Sequence, residues 1–272
     1  MKTALSELDL RAASTVDEAL TILRHEKRTP IAGATDVYVA LNFGTMAQKK
    51  FLDIWALDEL RTISIHNDTL VIGALTSYTS LMQSHLVGER VPMLVEASRL
   101  VGGVQIQNRG TLGGNIANGS PAADGVPVLA ATDAIVVLRS VGGERRIPLN
   151  SFYTGYRASV MRPDELIVAI EIPAVEGKQW FRKVGTRAAQ AISKIVMAAV
   201  RAQKIRIAFG SVAPTVIRVP KTEAALDAGA SIDDACEILA REIVPIDDVR
   251  STADYRRRVA TNLLRRFMAD TD

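Results

Sequence analysis

From Gln107 to Asp124 the chain reads Gln107-Asn108-Arg109-Gly110-Thr111-Leu112-Gly113-Gly114-Asn115-Ile116-Ala117-Asn118-Gly119-Ser120-Pro121-Ala122-Ala123-Asp124, and this density of small residues constrains the fold more than any other feature. Gly110, Gly113 and Gly114 open backbone conformations closed to other residues and leave no side chain between the main-chain N–H groups and an approaching anion. Thr111, Asn115, Asn118 and Ser120 add short hydrogen-bonding side chains of the kind phosphate oxygens accept from. A solvent-facing loop with turn chemistry is the alternative. The segment carries too few charges for a plain surface loop, so the reading here is a wall built around a ligand.

A second small-residue segment, Ala32-Gly33-Ala34-Thr35-Asp36, lies between the short strand Pro30-Ile31-Ala32 and a helix over Val37-Tyr38-Val39-Ala40-Leu41. A strand running through a tight turn into a helix presents free N–H groups, the device phosphate sites use. Two such segments can converge on one pyrophosphate. Neither is a P-loop, because no Gly-Lys-Ser/Thr follows, and neither has the G-x-G-x-x-G spacing of a Rossmann site. A dinucleotide site outside those two classes is what remains.

Composition narrows the class further. The chain has 272 residues, 48% apolar and 23% charged, enough for two compact domains. A net charge of +3 falls far short of the concentrated basic face of a nucleic-acid binder. The exception is Arg256, Arg257, Arg258, Arg265 and Arg266, on a helix whose apolar stripe is read as Tyr255, Val259, Leu263 and Phe267, so most of the arginines are expected on a solvated face, with a docking surface for an acidic partner as the alternative. The single cysteine, Cys236, excludes a disulfide framework and any site needing several thiolates from this chain, and is expected in buried packing. His25, His66 and His85 have no ligand spacing, so no metal site is assigned. The opening Met1-Lys2-Thr3-Ala4-Leu5-Ser6-Glu7-Leu8-Asp9 is acidic where a signal peptide needs an apolar run, and no stretch approaches membrane-spanning length, which predicts a cytoplasmic protein.

Thr15-Val16-Asp17-Glu18 has the form of a capping box opening a helix that ends near Lys27. Phe51 to Ile54 predicts a strand, and Thr62–Ile65 with Leu70–Gly73 a hairpin around Asn67-Asp68. Helices are expected over Tyr78–Leu86 and Met93–Val101, strands over Ala134–Leu138, Arg145–Pro148 and Leu166–Ile172. Beyond a boundary near Val175-Glu176-Gly177 come three strands, Trp180–Val184, Ala191–Val200 and Ile205–Val212. Ile195–Val200 fits a buried helix equally by periodicity, and its β-branched content favours the strand. Helices over Thr222–Asp227, Ile232–Glu242 and Ala253–Met268 end an α+β arrangement.

These residues resemble the FAD-binding medium subunit of molybdenum hydroxylases, the family of xanthine dehydrogenase and carbon monoxide dehydrogenase. The resemblance covers nearly the whole length. It rests on Ala32 to Asp36, on Ile72-Gly73-Ala74 before Thr76, on Arg109 to Asn118 through Ser120 to Asp124, on Phe181-Arg182-Lys183-Val184-Gly185, and on Ile246 to Arg250 followed by Tyr255-Arg256-Arg257. It implies an FAD-binding domain of the vanillyl-alcohol-oxidase (PCMH) type over residues 1–175, with two subdomains split near 57. A smaller C-terminal α+β domain, a three-stranded sheet with helices, follows over 176–272. It also implies that FAD is held by Ile31, Ala32, Gly33, Ala34, Thr35, Asp36 and Val37, by Thr111, Gly113, Gly114 and Asn115, and by Val101, Asp124, Ile167 and Lys183.

Two positions depart from the family pattern: Ala34 stands where a second glycine is common, and Val101 where xanthine dehydrogenases carry an aromatic residue against the flavin. Tyr153 and Tyr156 are candidates to cover the ring. Because the flavin carries the chemistry, no general acid or base is expected. The function implied is electron transfer from iron–sulfur clusters to an external acceptor, NAD, oxygen or a quinone, with the iron–sulfur and molybdopterin subunits on other chains. A free-standing flavin oxidoreductase of the same fold, and a non-redox nucleotide-binding scaffold subunit, are the alternatives.

Overall fold

The computed structural model describes residues 4–272, so Met1, Lys2 and Thr3 of the opening segment lie outside the described residues. The chain begins with a small parallel sheet. Strand β1 (Asp9–Ala12), helix α1 (Val16–His25), strand β2 (Thr29–Ile31), helix α2 (Thr35–Phe43) and strand β3 (Lys50–Asp53) follow in sequence, with β3 between the other two strands. Thr15 caps α1 by accepting from the Glu18 N–H at 3.1 Å. The Glu18 carboxylate reaches back one residue further than a capping box requires, to the Ser14 N–H at 2.8 Å. Val16, Ala19, Leu20 and Leu23 form the buried stripe of α1 against Leu52, Leu57 and Leu60. β1 has no sequence signature, since its four residues Asp9-Leu10-Arg11-Ala12 are all exposed.

A five-stranded antiparallel sheet comes next. Strands β4 (Ile63–His66) and β5 (Thr69–Gly73) form the expected hairpin, with Asn67 and Asp68 both at positive φ (46° and 63°), the paired left-handed conformation that two-residue hairpin turns need. The chain then leaves the sheet through helices α3 (Tyr78–Gln83), α4 (His85–Arg90), α5 (Pro92–Arg99), α6 (Val104–Arg109), α7 (Leu112–Asn118) and α8 (Val126–Ala131). It returns as β6 (Ile135–Ser140) and β7 (Gly143–Pro148), makes a two-stranded excursion through β8 (Tyr153–Gly155) and β9 (Ala158–Ser159), and closes the sheet centrally with β10 (Leu166–Ile172), in the order β4-β5-β10-β6-β7. The glycine-rich stretch expected as a wall is therefore two short helices and a turn.

The C-terminal sheet has four strands, which corrects the three expected: β11 (Lys178–Val184), β12 (Ile195–Arg201), β13 (Arg206–Gly210) and β14 (Ile217–Arg218). The two-residue β14 is too short to leave a periodic signal. β12 resolves the helix-or-strand ambiguity physically. Ile195, Met197 and Ala199 face one core, shared with helices α9 (Pro220–Asp227), α10 (Ile232–Glu242) and α11 (Ala253–Asp270), while Val196, Ala198 and Val200 face the core of the preceding part. A strand buried on both faces shows no alternation. Cys236 lies in the C-terminal core, where burial pushes its thiol up.

Arg256 departs from the expected solvated face. The buried stripe of α11 is Arg256, Ala260, Leu263, Leu264 and Phe267, with Tyr255 and Val259 only half-buried. Arg256 donates to Asp248 Oδ1 at 2.7 Å and to the Ile246 carbonyl at 3.3 Å. Burial pushes the Asp248 carboxyl up, but the Arg256 side chain and the N–H groups of Arg250 and Ser251 outweigh it and hold it at about 2. Among the described residues no helix is long and apolar enough to cross a membrane.

The parallel sheet and the helical excursion approach closely at Gly33: a Cβ placed there would lie 1.7 Å from the Arg109 carbonyl oxygen. Beside it Ala34 sits at φ 58°, in the left-handed region.

Three consequences can be measured. Gly33→Ala should lower the unfolding free energy by about 2 kcal/mol or more, because the clash is with backbone. Ala34→Gly should leave it within about 1 kcal/mol of wild type or raise it, since the left-handed penalty is removed; equal urea midpoints for Gly33→Ala and wild type would contradict the close approach. Asp248→Asn should cost about 3 kcal/mol by leaving Arg256 buried and unpaired. Because the folded-state carboxyl titrates below its unfolded value, this contribution is complete above about pH 4 and is lost as pH falls toward 2, so the variant's stability should fall less steeply over that window in urea titrations.

Candidate functional site

Where the two segments meet they enclose a cleft of about 410 Å³. One wall is the β2–α2 junction, Ile31 to Val37. The Ile31 carbonyl is used by the Ile54 N–H at 3.1 Å, and the Ala34 carbonyl by the Tyr38 N–H at 3.0 Å. None of the six backbone N–H groups from Ala32 to Val37 has an acceptor among the described residues. Successive unpaired donors at a helix N-terminus form a concavity suited to an anion.

The opposite wall is built differently from the expectation. Its first-turn donors are consumed within the protein: the Leu112 N–H donates to the Thr76 carbonyl at 3.0 Å, the Gly113 N–H to the Ala74 carbonyl at 2.9 Å, and the Gly114 N–H to Thr111 Oγ1 at 3.1 Å. The Ala74 and Thr76 carbonyls, at the end of the Ile72-Gly73-Ala74 motif and just beyond it, thus act as the bracket that holds α7. Gly113 faces that bracket, and a Cβ on it would lie 2.7 Å from Ala74 Cβ. What α7 turns toward the cleft is Gly114, Asn115, Ala117 and Asn118. The work is divided between free main-chain donors on one side and small side chains on the other.

Two polar atoms in the lining are buried without a partner among the described residues, Tyr78 Oη and Asn115 Oδ1. Burial, with smaller contributions from the Asp124 and Asp36 charges, pushes the Tyr78 phenol above its ordinary value, which favours the neutral form. The charged lining residues are Asp36 and Arg157. Arg157, at φ 51° in the β8–β9 turn, donates to Asn118 Oδ1 at 2.8 Å. Lost hydration raises the Asp36 carboxyl, opposed by the Arg157 charge and a hydrogen bond from Asn118. Val101 completes the lining at a turn where Gly102 takes φ 52° and the Gln107 amide bridges the carbonyls of Arg99 and Val101 at 3.1 Å each.

The cleft therefore gathers Ile31, Ala32, Gly33, Ala34, Thr35, Asp36, Val37, Val101, Thr111, Gly114 and Asn115. It does not gather Gly113, Asp124, Ile167 or Lys183. Asp124 accepts from Lys183 Nζ at 2.6 Å and from Ser193 Oγ at 2.5 Å, and Lys183 also reaches the Leu100 carbonyl at 2.9 Å. Burial raises the Asp124 carboxyl, and the Lys183 charge opposes it. These contacts tie the C-terminal sheet to the turn that carries Val101. Ile167 is buried in the core at an irregularity of β10. Tyr153 donates to the Ile116 carbonyl at 2.9 Å, anchoring the end of α7, while Tyr156 is exposed on the β8–β9 turn. Asn118, expected among the short polar side chains of the wall, lines the cleft, whereas reasoning from sequence missed Tyr78, Ile106 and Arg157. Tyr78 has the pattern of a core aromatic, and Arg157 is brought in by a turn 39 residues from Asn118.

The donor set fits a dinucleotide cofactor: the anion concavity suits a pyrophosphate, and the orphaned Tyr78 and Asn115 atoms supply one further donor and one acceptor. Among the described residues no group of three His, Cys, Asp or Glu gathers as for a metal.

Comparison with known proteins covers both parts of the chain. The family described as FAD binding domain in molybdopterin dehydrogenase matches residues 6–175, and the CO dehydrogenase flavoprotein C-terminal domain matches residues 179–271. The carbon monoxide dehydrogenase medium chain of Hydrogenophaga pseudoflava is 30% identical over 273 residues, spanning 96% of this chain and 95% of that one. The glyceraldehyde dehydrogenase medium chain of Sulfolobus acidocaldarius is 31% identical over 258 residues, 91% of this chain and 92% of the relative. Among solved structures, carbon monoxide dehydrogenase from Hydrogenophaga pseudoflava lacking the Mo-pyranopterin moiety of the molybdenum cofactor aligns with a TM-score of 0.90 at 30% identity, covering 96% of this chain and 95% of that chain. The chain belongs to the family of FAD-binding medium subunits of molybdenum hydroxylases, oxidoreductase subunits whose cofactor is FAD.

Proposed function

We propose that this chain is the electron-transfer flavoprotein of a cytoplasmic molybdenum hydroxylase complex, receiving electrons from iron–sulfur clusters on a partner chain and passing them to an external acceptor such as NAD, oxygen or a quinone. The observation that carries the reading is the row of unpaired N–H groups from Ala32 to Val37 facing Gly114, Asn115 and the orphaned Tyr78 across one cleft. When bound, FAD supplies the redox chemistry. Ile31 to Val37 with Thr111, Gly114 and Asn115 hold its pyrophosphate, and Gly113 lets α7 seat closely enough to do so. Val101 borders the flavin. Asp124 and Lys183, through the Leu100 carbonyl, fix that border, and Ile167 supports it from the core. We further propose the division into 1–175, with subdomains split near 57, and 176–272.

On this reading the iron–sulfur clusters lie on other chains, since one buried cysteine cannot hold a cluster. Arg157 is the cation that offsets pyrophosphate charge beside Asp36. The purified chain should therefore take up FAD with quenching of flavin fluorescence, and Arg157→Gln should weaken uptake roughly tenfold, as expected for a lost charge-assisted hydrogen bond. Absence of flavin uptake by the wild-type chain would end the proposal. Purification from the native source should recover chains carrying iron–sulfur clusters and molybdopterin; turnover of an organic substrate by the isolated chain would favour a free-standing oxidoreductase instead.

A further inference from the structure

We infer that Tyr78 is a cofactor ligand, its phenolic hydroxyl donating a hydrogen bond to a pyrophosphate oxygen of the bound FAD. The inference rests on the FAD reading above and adds a residue that no loop motif contains. Tyr78 is only 2% exposed, its side chain is among those lining the cleft, and its buried hydroxyl has no acceptor among the described residues. Buried polar groups are almost always paired, and one left unpaired is a cost the fold carries for a reason.

Its position is fixed independently of the hydroxyl. Ser77 caps α3, the Tyr78 N–H donates to the Gly110 carbonyl at 3.2 Å, and the ring lies 3.4 Å from where a Cβ on Gly110 would stand. Gly33 meets the same spot from the other side, since a Cβ there would lie 3.1 Å from the Gly110 nitrogen. Tyr78 thus stands beside the junction of the two pyrophosphate-binding segments. A neutral phenol can donate to an anion without desolvating a second charge, and burial keeps this one neutral. The main-chain donors approach from the β2–α2 side, and α7 has none to spare. Tyr78 supplies a donor on the α7 side.

Tyr78→Phe separates this role from packing, because it deletes one oxygen and keeps the ring. For the cofactor-free chain, removing an unpaired buried hydroxyl should leave the thermal midpoint unchanged or raise it. For the complex, FAD affinity should fall roughly ten- to a hundredfold, the range for a hydrogen bond to a charged group. ADP, which carries the pyrophosphate, should lose affinity by a similar factor, whereas riboflavin, which has no phosphate, should bind wild type and variant alike. Unchanged FAD affinity in the variant, an equal loss for riboflavin, or a lowered midpoint of the cofactor-free variant would overturn the inference. Failure of the wild-type chain to bind FAD would instead count against the FAD reading itself.

Discussion

Everything at the site depends on one backbone contact, the packing of Gly33 against the Arg109 carbonyl. The parallel sheet and the helical excursion of the larger sheet are different parts of the chain, and a ligand the size of a dinucleotide needs surfaces from both. Two main chains can come this close only where neither carries a side chain between them. The approach brings the Ala32–Val37 donors opposite α7. The bracket of Ala74 and Thr76 carbonyls then fixes α7 at that distance by consuming its own donors. The consequence is asymmetry: one wall binds through free hydrogen-bond donors, the other by being shaped and immobile.

How far the sequence alone reaches follows from how local each determinant is. The Thr15 cap, the Asn67-Asp68 turn and the α10 limits are set by residues adjacent in the chain, and each is legible. The identity of the two loops was legible because glycine and short polar residues are rare in such density. What was not legible depends on tertiary pairing. β1 is an exposed, charged segment that becomes a strand only because β3 offers it an edge. Arg256 reads as a surface charge until Asp248 folds back over it. Tyr78 and Arg157 carry no motif, and each enters the cleft through a turn whose geometry is decided elsewhere. Even the donors of α7 could not be assigned, since their acceptors lie about forty residues upstream in the chain.

The buried pair of Asp124 and Lys183 has a cost that its position explains. Both side chains are almost wholly shielded from water, and replacing such a pair by apolar residues is often no less stable. A hydrogen bond from Ser193 to Asp124 and one from Lys183 to the Leu100 carbonyl add to the pair. The arrangement therefore specifies a geometry rather than adding stability: it sets where the C-terminal sheet meets the turn bearing Val101.

The two-faced burial of β12 has a further consequence, for cooperativity. A strand whose alternate residues belong to two different cores cannot remain folded when either is lost, because half of its apolar surface would then meet water. The two sequence units are consequently not two folding units. Opening of the C-terminal helices exposes the back of the layer on which the rest of the chain rests, so unfolding should run as one transition, and a cut at the boundary between the units would strand apolar faces on both sides.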